Sequence, residues 1–506
     1  MKYLNIITIL LFASFFSASC IDDKGNYEYE DPEILMPLKI SGLENVEVIL
    51  GSVLELTPII EGIKDESRYT YTWFTLPQSN LGKVEKVIIG TERNLSTQIK
   101  QDGGKYNLYF QILDNILGVY KSIRVDLTIN ESFLVSGWYL LKDKDNETDF
   151  DYLMYNDAEE EYKLYPDVIK NLKERSGLKG NAVRLAYQSG DYAHEVVDED
   201  GKITVLTNQK VFHIISTNEM NTVHASNLNI LKKTEDEFYE YPGIWEPQGF
   251  VNSGPSSYLV NNGKLHILNG LGAGKTGKFG GYVLPPTTNE CDIHPDMMTT
   301  LVGGALVFDN LSRTFYGASR NAAELVEIAD KPSVVSIKNM DYKLLCMLQK
   351  DGLPIMADGY IIMQSITDPE DCRLALMGMM YNPGGSAYPF GSFEEIPRGS
   401  LVAKASVRAV PGYGAFIYFG QGNKLYAHKI AKDAMPKEPL LKTFDADETI
   451  AYIRHNGYLE VVTNSPRGWN LYFFNIRGTG PELETETPEE VFKGVGTVRD
   501  IIYRDY

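Results

Sequence analysis

Gly137-Trp138-Tyr139-Leu140-Leu141 is a glycine followed by four strand-prone residues, and the same kind of unit returns six more times along the chain. Gly201-Lys202-Ile203-Thr204-Val205, Gly263-Lys264-Leu265-His266-Ile267 and Gly304-Ala305-Leu306-Val307-Phe308 come next. Gly359-Tyr360-Ile361-Ile362, Gly422-Asn423-Lys424-Leu425-Tyr426 and Gly457-Tyr458-Leu459-Glu460-Val461 complete the series. The glycine supplies a turn, and the aromatic and β-branched residues after it favour a pleated strand. The six intervals between glycines 137 and 457 average about 53 residues. Four strands with their turns need about 40–50 residues, so each unit reads as one blade of a β-propeller. Residues 135–506 are therefore expected to form a propeller of about seven blades. The spacing is loose, with gaps from 35 to 64 residues, and six or eight blades fit it too. The run Val498 to Tyr503 is expected to pair with an early strand and close the ring, which removes an open sheet edge. Tyr165 to Arg175 (YPDVIKNLKER) reads as a helical insertion between blades.

Upstream, residues 38–134 carry six or seven shorter β-prone runs, among them Val46–Leu50, Tyr69–Phe74 and Tyr106–Leu113. That density over about 97 residues suggests a β-sandwich. Trp73 is the candidate for the aromatic buried between its sheets, and Gly104-Lys105-Tyr106 for a tyrosine corner. Composition agrees with an all-β chain. Among 506 residues there are 32 Tyr and 44 Gly, with 43% hydrophobic and 23% charged residues. The formal net charge of −20 repels phosphate backbones and argues against nucleic acid as a partner.

Residues 1–20 (MKYLNIITILLFASFFSASC) read as a secretory signal. Lys2 is followed by an apolar run to Phe16 and by the small residues Ser17-Ala18-Ser19. Cys20 directly after them resembles a bacterial lipobox, although Ser17 stands where a Leu is usual. Lipidation of Cys20 is expected. No later stretch reaches 18 uninterrupted apolar residues, so no membrane span is expected. Residues 21–37 read as an acidic spacer, and Asp22-Asp23-Lys24 after the lipidated Cys resembles a surface-export signal of Bacteroidota lipoproteins.

Asp22-Asp23-Lys24-Gly25-Asn26-Tyr27, Tyr71-Thr72-Trp73 and Gly104-Lys105-Tyr106 through Gln111-Ile112-Leu113-Asp114 together resemble the N-terminal part of Bacteroidota PKD-like lipoproteins. The resemblance covers about residues 20–140. The Gly-Asp-Gly turn usual after the Trp is replaced by Phe74-Thr75-Leu76-Pro77. The resemblance implies an N-terminal PKD/Ig-like sandwich and an association with nutrient importers of the SusC/SusD type. The lipobox-like Cys20 and the acidic residues after it imply an expected location on the extracellular face of the outer membrane, held by a lipid anchor.

Motifs for chemistry are weak throughout. His194-Glu195-Val196-Val197-Asp198 lacks the second His that a zinc-protease helix needs. Asn269 to Thr276 (NGLGAGKT) lacks the first Gly of a phosphate-binding loop. Asp143-Lys144-Asp145-Asn146-Glu147 sets oxygens at alternate positions as a Ca²⁺ loop begins, but the Gly and the distal Glu are missing. Calcium is left open there, and no other cofactor or metal is expected. Cys291-Asp292-Ile293-His294-Pro295-Asp296 concentrates metal-ligand residue types in a loop. Cys291, Cys346 and Cys372 cannot all pair with one another and read as inert thiols or one unassigned disulfide. No nucleophile elbow stands out, and paired carboxylates cannot be singled out in so acidic a chain. No catalytic residue is assigned, and the chain is expected not to be an enzyme.

Aromatic residues in Pro/Gly loops carry the binding signal, because flat rings stack on sugar faces and anchor peptides. Trp245, Tyr388, Phe390 and Trp469 are the candidates. The expected role is a surface-anchored lipoprotein that binds a nutrient polymer, glycan or peptide, beside an importer. A hydrolase or lyase would need carboxylates converging on the propeller axis, and a purely structural subunit of the importer would need no ligand at all.

Overall fold

The computed structural model describes residues 36–504 apart from 79–85, 102, 131–135, 157–159, 198–200, 255, 270–275, 301–302, 321, 351–357, 379, 381 and 432–433. The lipidation candidate Cys20 lies outside the described residues, as do most of the acidic spacer and of the Gly-rich stretch after Asn269. The chain divides into two compact units. One comprises Met1–Val48, Ser52–Ile99 and Gly103–Asn130, and the other Ile49–Gly51, Lys100–Asp102 and Glu131–Tyr506.

The first unit is a β-sandwich. Five strands form one sheet, in the order 46–49, 120–130, 104–114, 69–77 and 87–90. Two further ladders, 39–41 with 59–61 and 53–56 with 95–98, make up the rest. Strand Tyr69–Pro77 buries Tyr71 and then Trp73, Phe74 and Thr75 in succession, and Trp73 is fully buried. Trp73 packs on Phe110 at 4.4 Å, and its indole N–H donates to the Glu92 carbonyl at 2.9 Å. The buried aromatic expected from sequence is thus Trp73. Tyr106, the corner candidate, stands near the start of strand Gly104–Asp114 and is half-buried.

The second unit is a seven-bladed propeller. Seven sheets of four or five strands follow one another in antiparallel order. In blades 2 to 7 the four strands, A to D, are consecutive in the chain. They span residues 182–233, 247–283, 298–327, 342–396, 407–443 and 449–494. Blade 1 takes its outer three strands from Gly137–Lys144, Glu147–Asn156 and Glu161–Tyr165. Its innermost strand is Thr497–Arg504, paired antiparallel with Gly137–Lys144 from Gly137↔Arg504 to Asp143↔Thr497. The C-terminal run therefore closes the ring. The A strands of neighbouring blades touch around the axis, among them 182–197 with 497–504 and 449–456 with 497–504.

Each of the seven glycine-led units falls in a different blade. Five of them open strand B, but Gly263 and Gly422 sit in B–C turns. That shift of one strand is why the spacing is loose. Gly137 is required by close approach: a Cβ there would lie 2.4 Å from the Leu153 carbonyl oxygen. The helical insertion is a short helix, Val168–Lys173, buried along Val168, Ile169 and Leu172. Asp149 on blade 1 accepts from the N–H groups of Ile169 and Lys170, which satisfies two donors at the helix start. The core is divided among the seams. Separate apolar clusters lie between blades 2 and 3, 3 and 4, 4 and 5, 5 and 6, 6 and 7, and 7 and 1. Among the described residues no helix is long and apolar enough to cross a membrane.

Candidate functional site

Antiparallel strands put the A–B and C–D turns of every blade on one face of the ring and the B–C and D–A turns on the other. The four aromatic candidates are split by that rule. Trp245 lies in the D–A connection before strand Pro247–Ser253, and Trp469 follows the B–C turn of blade 7. Tyr388 and Phe390 belong to the C–D connection of blade 5, on the opposite face. No common surface gathers them.

Their burial corrects the expectation further. Trp469 is 1% exposed, its indole N–H donates to Asp151 at 3.0 Å, and it fills a slot that a Cβ at Gly494 would enter at 2.4 Å. It locks blade 7 to blade 1 and cannot stack on a ligand. Phe390 is buried in the seam of blades 4 and 5, edge-on to Phe315. Tyr388 is half-buried, with its hydroxyl donating to the Val335 carbonyl at 2.6 Å. Trp245 is half-buried too, donating to the Ser216 carbonyl and packing edge-on to Phe238. Trp469 and Phe390 serve blade packing, while Trp245 and Tyr388 are tied to neighbouring backbone and keep part of each ring exposed.

The calcium candidate is also dispersed. Asp145 and Asn146 form the tight hairpin turn with φ of 53° and 62°. Asp143 pairs with Arg499 at 2.8 Å, and Glu147 accepts from the Gly177 N–H. His194 lies buried in a 16-residue strand, not on a helix. Cys291, Cys346 and Cys372 are free and buried. Among the described residues no group of His, Cys, Asp and Glu could hold a metal ion.

Ring closure assembles a different aromatic site. Between blades 1 and 7, on the face of the A–B and C–D turns, a groove of about 680 Å³ is lined by Tyr155, Tyr162, Tyr458 and Phe492. Four carboxylates, Glu160, Glu161, Glu489 and Glu490, complete its lining. Tyr155 and Tyr162 come from the C–D hairpin of blade 1, Tyr458 from the A–B turn of blade 7 and Phe492 from its outer strand. Tyr162 is edge-on to both Tyr155 (5.0 Å) and Phe492 (5.1 Å). Tyr458 stacks on the buried Phe473 at 5.3 Å, which fixes its plane. Burial, with Tyr458 and Glu490 beside it, pushes the Tyr162 hydroxyl up to about 12, so it keeps its proton. Asn475 donates to Glu489 at 2.9 Å, and Lys163 lies 3.9 Å from Glu161. Such a surface offers ring faces to C–H groups and carboxylate oxygens to hydroxyl or cationic donors.

A local signal for this site exists. Glu160-Glu161-Tyr162 and Glu489-Glu490-Val491-Phe492 both set a carboxylate pair beside an aromatic. Their pairing across more than three hundred residues follows only from closure of the ring. A second groove, about 630 Å³ between blades 5 and 6, is mostly apolar. Leu374, Leu376, Ile396 and Met435 line it, and its His428 is occupied by Glu438 at 2.9 Å.

Residues 20–177 match the PKD-like family. The match spans the sandwich and runs on through the three outer strands and the helix of blade 1. Comparison with curated proteins finds no match. Among solved structures, the chain is similar to a quinoprotein alcohol dehydrogenase-like protein from Bacteroides thetaiotaomicron. That likeness has 13% identity and a TM-score of 0.49, over 95% of this chain and 98% of that one. It is also similar to YCF48 from Cyanidioschyzon merolae, at 11% identity over 67% and 98% of the two chains with a TM-score of 0.35. A third likeness is the β-propeller domain of the Trilobed protease from Pyrococcus furiosus. There the identity is 9% over 79% and 92% of the two chains, with a TM-score of 0.23.

Proposed function

We propose that this chain is a lipoprotein held at the outer face of the outer membrane through Cys20, and that it captures a nutrient glycan beside an importer of the SusC/SusD type. The aromatic and carboxylate groove between blades 1 and 7 carries the reading. Sugars expose apolar C–H faces and a rim of hydroxyls, which match the rings of Tyr155, Tyr162, Tyr458 and Phe492 and the four glutamates around them. The acidic rim repels phosphate polymers. The lipobox-like Ser19-Cys20 and the acidic residues after it support the address.

Capture without breakdown is favoured by the inner ring. Two carboxylates at its A strands are tied to backbone. Asp500 accepts from the N–H groups of Leu185 and Ile501 and pairs with Arg184, and Asp296 accepts from the Met347 N–H. Groups so occupied pin neighbouring A strands and are not free to move protons. Titration calorimetry of the chain lacking residues 1–20 against glycans and cationic peptides, with product analysis of the same samples, tests the reading. Heat from a glycan, no products, and about tenfold weaker binding by Tyr155→Ala are expected. Product formation, or glycan binding indifferent to Tyr155→Ala, overturns it, and heat from cationic peptides alone moves the ligand class to peptide.

A further inference from the structure

The sandwich unit carries an apolar hairpin tip that packing does not explain. Strands Gly104–Asp114 and Tyr120–Asn130 are joined by Asn115-Ile116-Leu117-Gly118-Val119. Ile116 is 75% exposed, Tyr120 65%, Leu117 45% and Leu113 37%. No charged side chain occurs from Asn115 to Tyr120. The one carboxylate at the tip, Asp114, is buried. It accepts from the N–H groups of Ile116 and Leu117 and pairs with Arg68 at 2.6 Å. Asn115 is tied back as well, its N–H donating to the Arg68 carbonyl and its side chain bonded to Thr70. The tip is therefore a held presentation of apolar groups, not a frayed turn.

Topology says which way it points within its unit. The described chain enters at Met36, and Lys39 pairs with Glu61. Residues 62–68 then lead into strand Tyr69–Pro77, whose first residue pairs with Asp114. The entering chain and the hairpin tip thus lie at the same end of the sandwich, while strand Tyr120–Asn130 leaves from the other end. Fifteen residues lie between Cys20 and Met36, and the sixteen steps they make reach at most about 55 Å.

We propose that this hairpin tip inserts into the lipid surface at which the chain is anchored. A convex tip of a few residues is far short of the roughly 800 Å² per partner that a stable protein interface buries. It suits a lipid interface, where Tyr is favoured and a second weak signal converts a reversible lipid anchor into a stable one. The orientation rests on the anchored reading above; the chemistry of the tip does not.

The test uses flotation with phosphatidylcholine vesicles, which carry no net charge to oppose a chain of −20. The chain lacking residues 1–20 should float with the vesicles, and Ile116→Asp with Leu117→Asp should reduce the bound fraction by about tenfold or more. Ile116→Ser with Leu117→Ser is the milder pair should the first misfold, and an unchanged thermal midpoint shows the fold intact. Equal flotation of parent and variants, or none for the parent, overturns the proposal. So does a variant that changes assembly with another protein while floating as the parent does. Release of Cys20→Ser from cell membranes reads the anchor separately. Vesicle binding without that release keeps the tip and removes the anchor, and release without vesicle binding does the reverse.

Discussion

The seam between blades 4 and 5 is filled by methionine and phenylalanine, whereas the seam between blades 7 and 1 adds two indole-to-carboxylate bonds to its apolar cluster, beside buried ion pairs within blade 1. In the first, Met298, Met340, Met347, Met363, Met377 and Met380 pack with Phe308, Phe315 and Phe390. Both blades there come from adjacent stretches of chain, so connectivity already places them side by side, and non-directional packing suffices. In the second, the two ends of the propeller must find each other. Trp138 donates to Glu460 at 2.7 Å, Trp469 to Asp151 at 3.0 Å, and Lys142 pairs with Asp151 at 2.6 Å and Asp167 at 2.8 Å. Arg499 reaches Asp143 within the same closing sheet. The Arg499–Asp143 pair loses its partner if Thr497–Arg504 slips by one residue, since a one-residue slip turns every side chain to the other face. The comparison teaches that this propeller packs both seams with apolar groups and adds polar pairing where the ends of its chain meet.

Isosteric substitutions break that comparison most sharply. Asp151→Asn keeps the volume but removes the charge beside Lys142, both side chains being at most 2% exposed. Breaking such a buried pair costs about 3–5 kcal/mol. Asp167 remains beside Lys142, so the lower end, about 3 kcal/mol, is expected by denaturant unfolding. A loss below about 1 kcal/mol would mean that the closing seam tolerates change as an apolar one does.

The blade 2–3 seam offers an intermediate case. His213 is fully buried between Thr222 (2.9 Å) and Gln188 (3.3 Å), and burial pushes its imidazole down to about 3 from an ordinary value near 6.5. A depressed value means stability that is present above pH 6.5 and lost as pH falls toward 3, because the unfolded chain takes up the proton first. At pH 4.5 the loss should be about 2–3 kcal/mol, and His213→Gln should flatten that acid limb in pH-dependent unfolding.

Met363→Leu in the blade 4–5 seam conserves volume and breaks no directional bond. It should cost less than about 1.5 kcal/mol in the same unfolding assay. A cost equal to that of Asp151→Asn would erase the distinction between the seams. Tyr155→Ala, at the exposed rim of the groove, should shift stability by no more than about 0.5 kcal/mol while weakening the ligand. That separation of fold from binding is read by a thermal midpoint beside the calorimetric titration.

Much of the fold is legible in local pattern. Turn glycines followed by strand-prone runs, one to a blade, point to a propeller of about seven blades without excluding six or eight, and the strand-prone Val498–Tyr503 run points to the closing strand. Trp73 is legible because an inward aromatic in a strand of a sandwich has one place to go. The candidate groove is not legible as a site. Trp469 and Phe390 look like loop aromatics, yet Gly494 and the neighbouring blade leave slots that their rings fill. Tyr155, Tyr162, Tyr458 and Phe492 look like ordinary strand residues, and nothing near any of them names the others.

By itself the sequence determined the all-β character, the blade repeat, the buried Trp of the sandwich and the acidic net charge. These depend on residue type and short spacing, which act within a few residues of chain. Tertiary structure alone decided which aromatics stay in water and which carboxylates share a groove with them. Those outcomes depend on pairing residues 137–144 with 497–504. Closing a ring brings together groups whose separation along the chain carries no information about their separation in space.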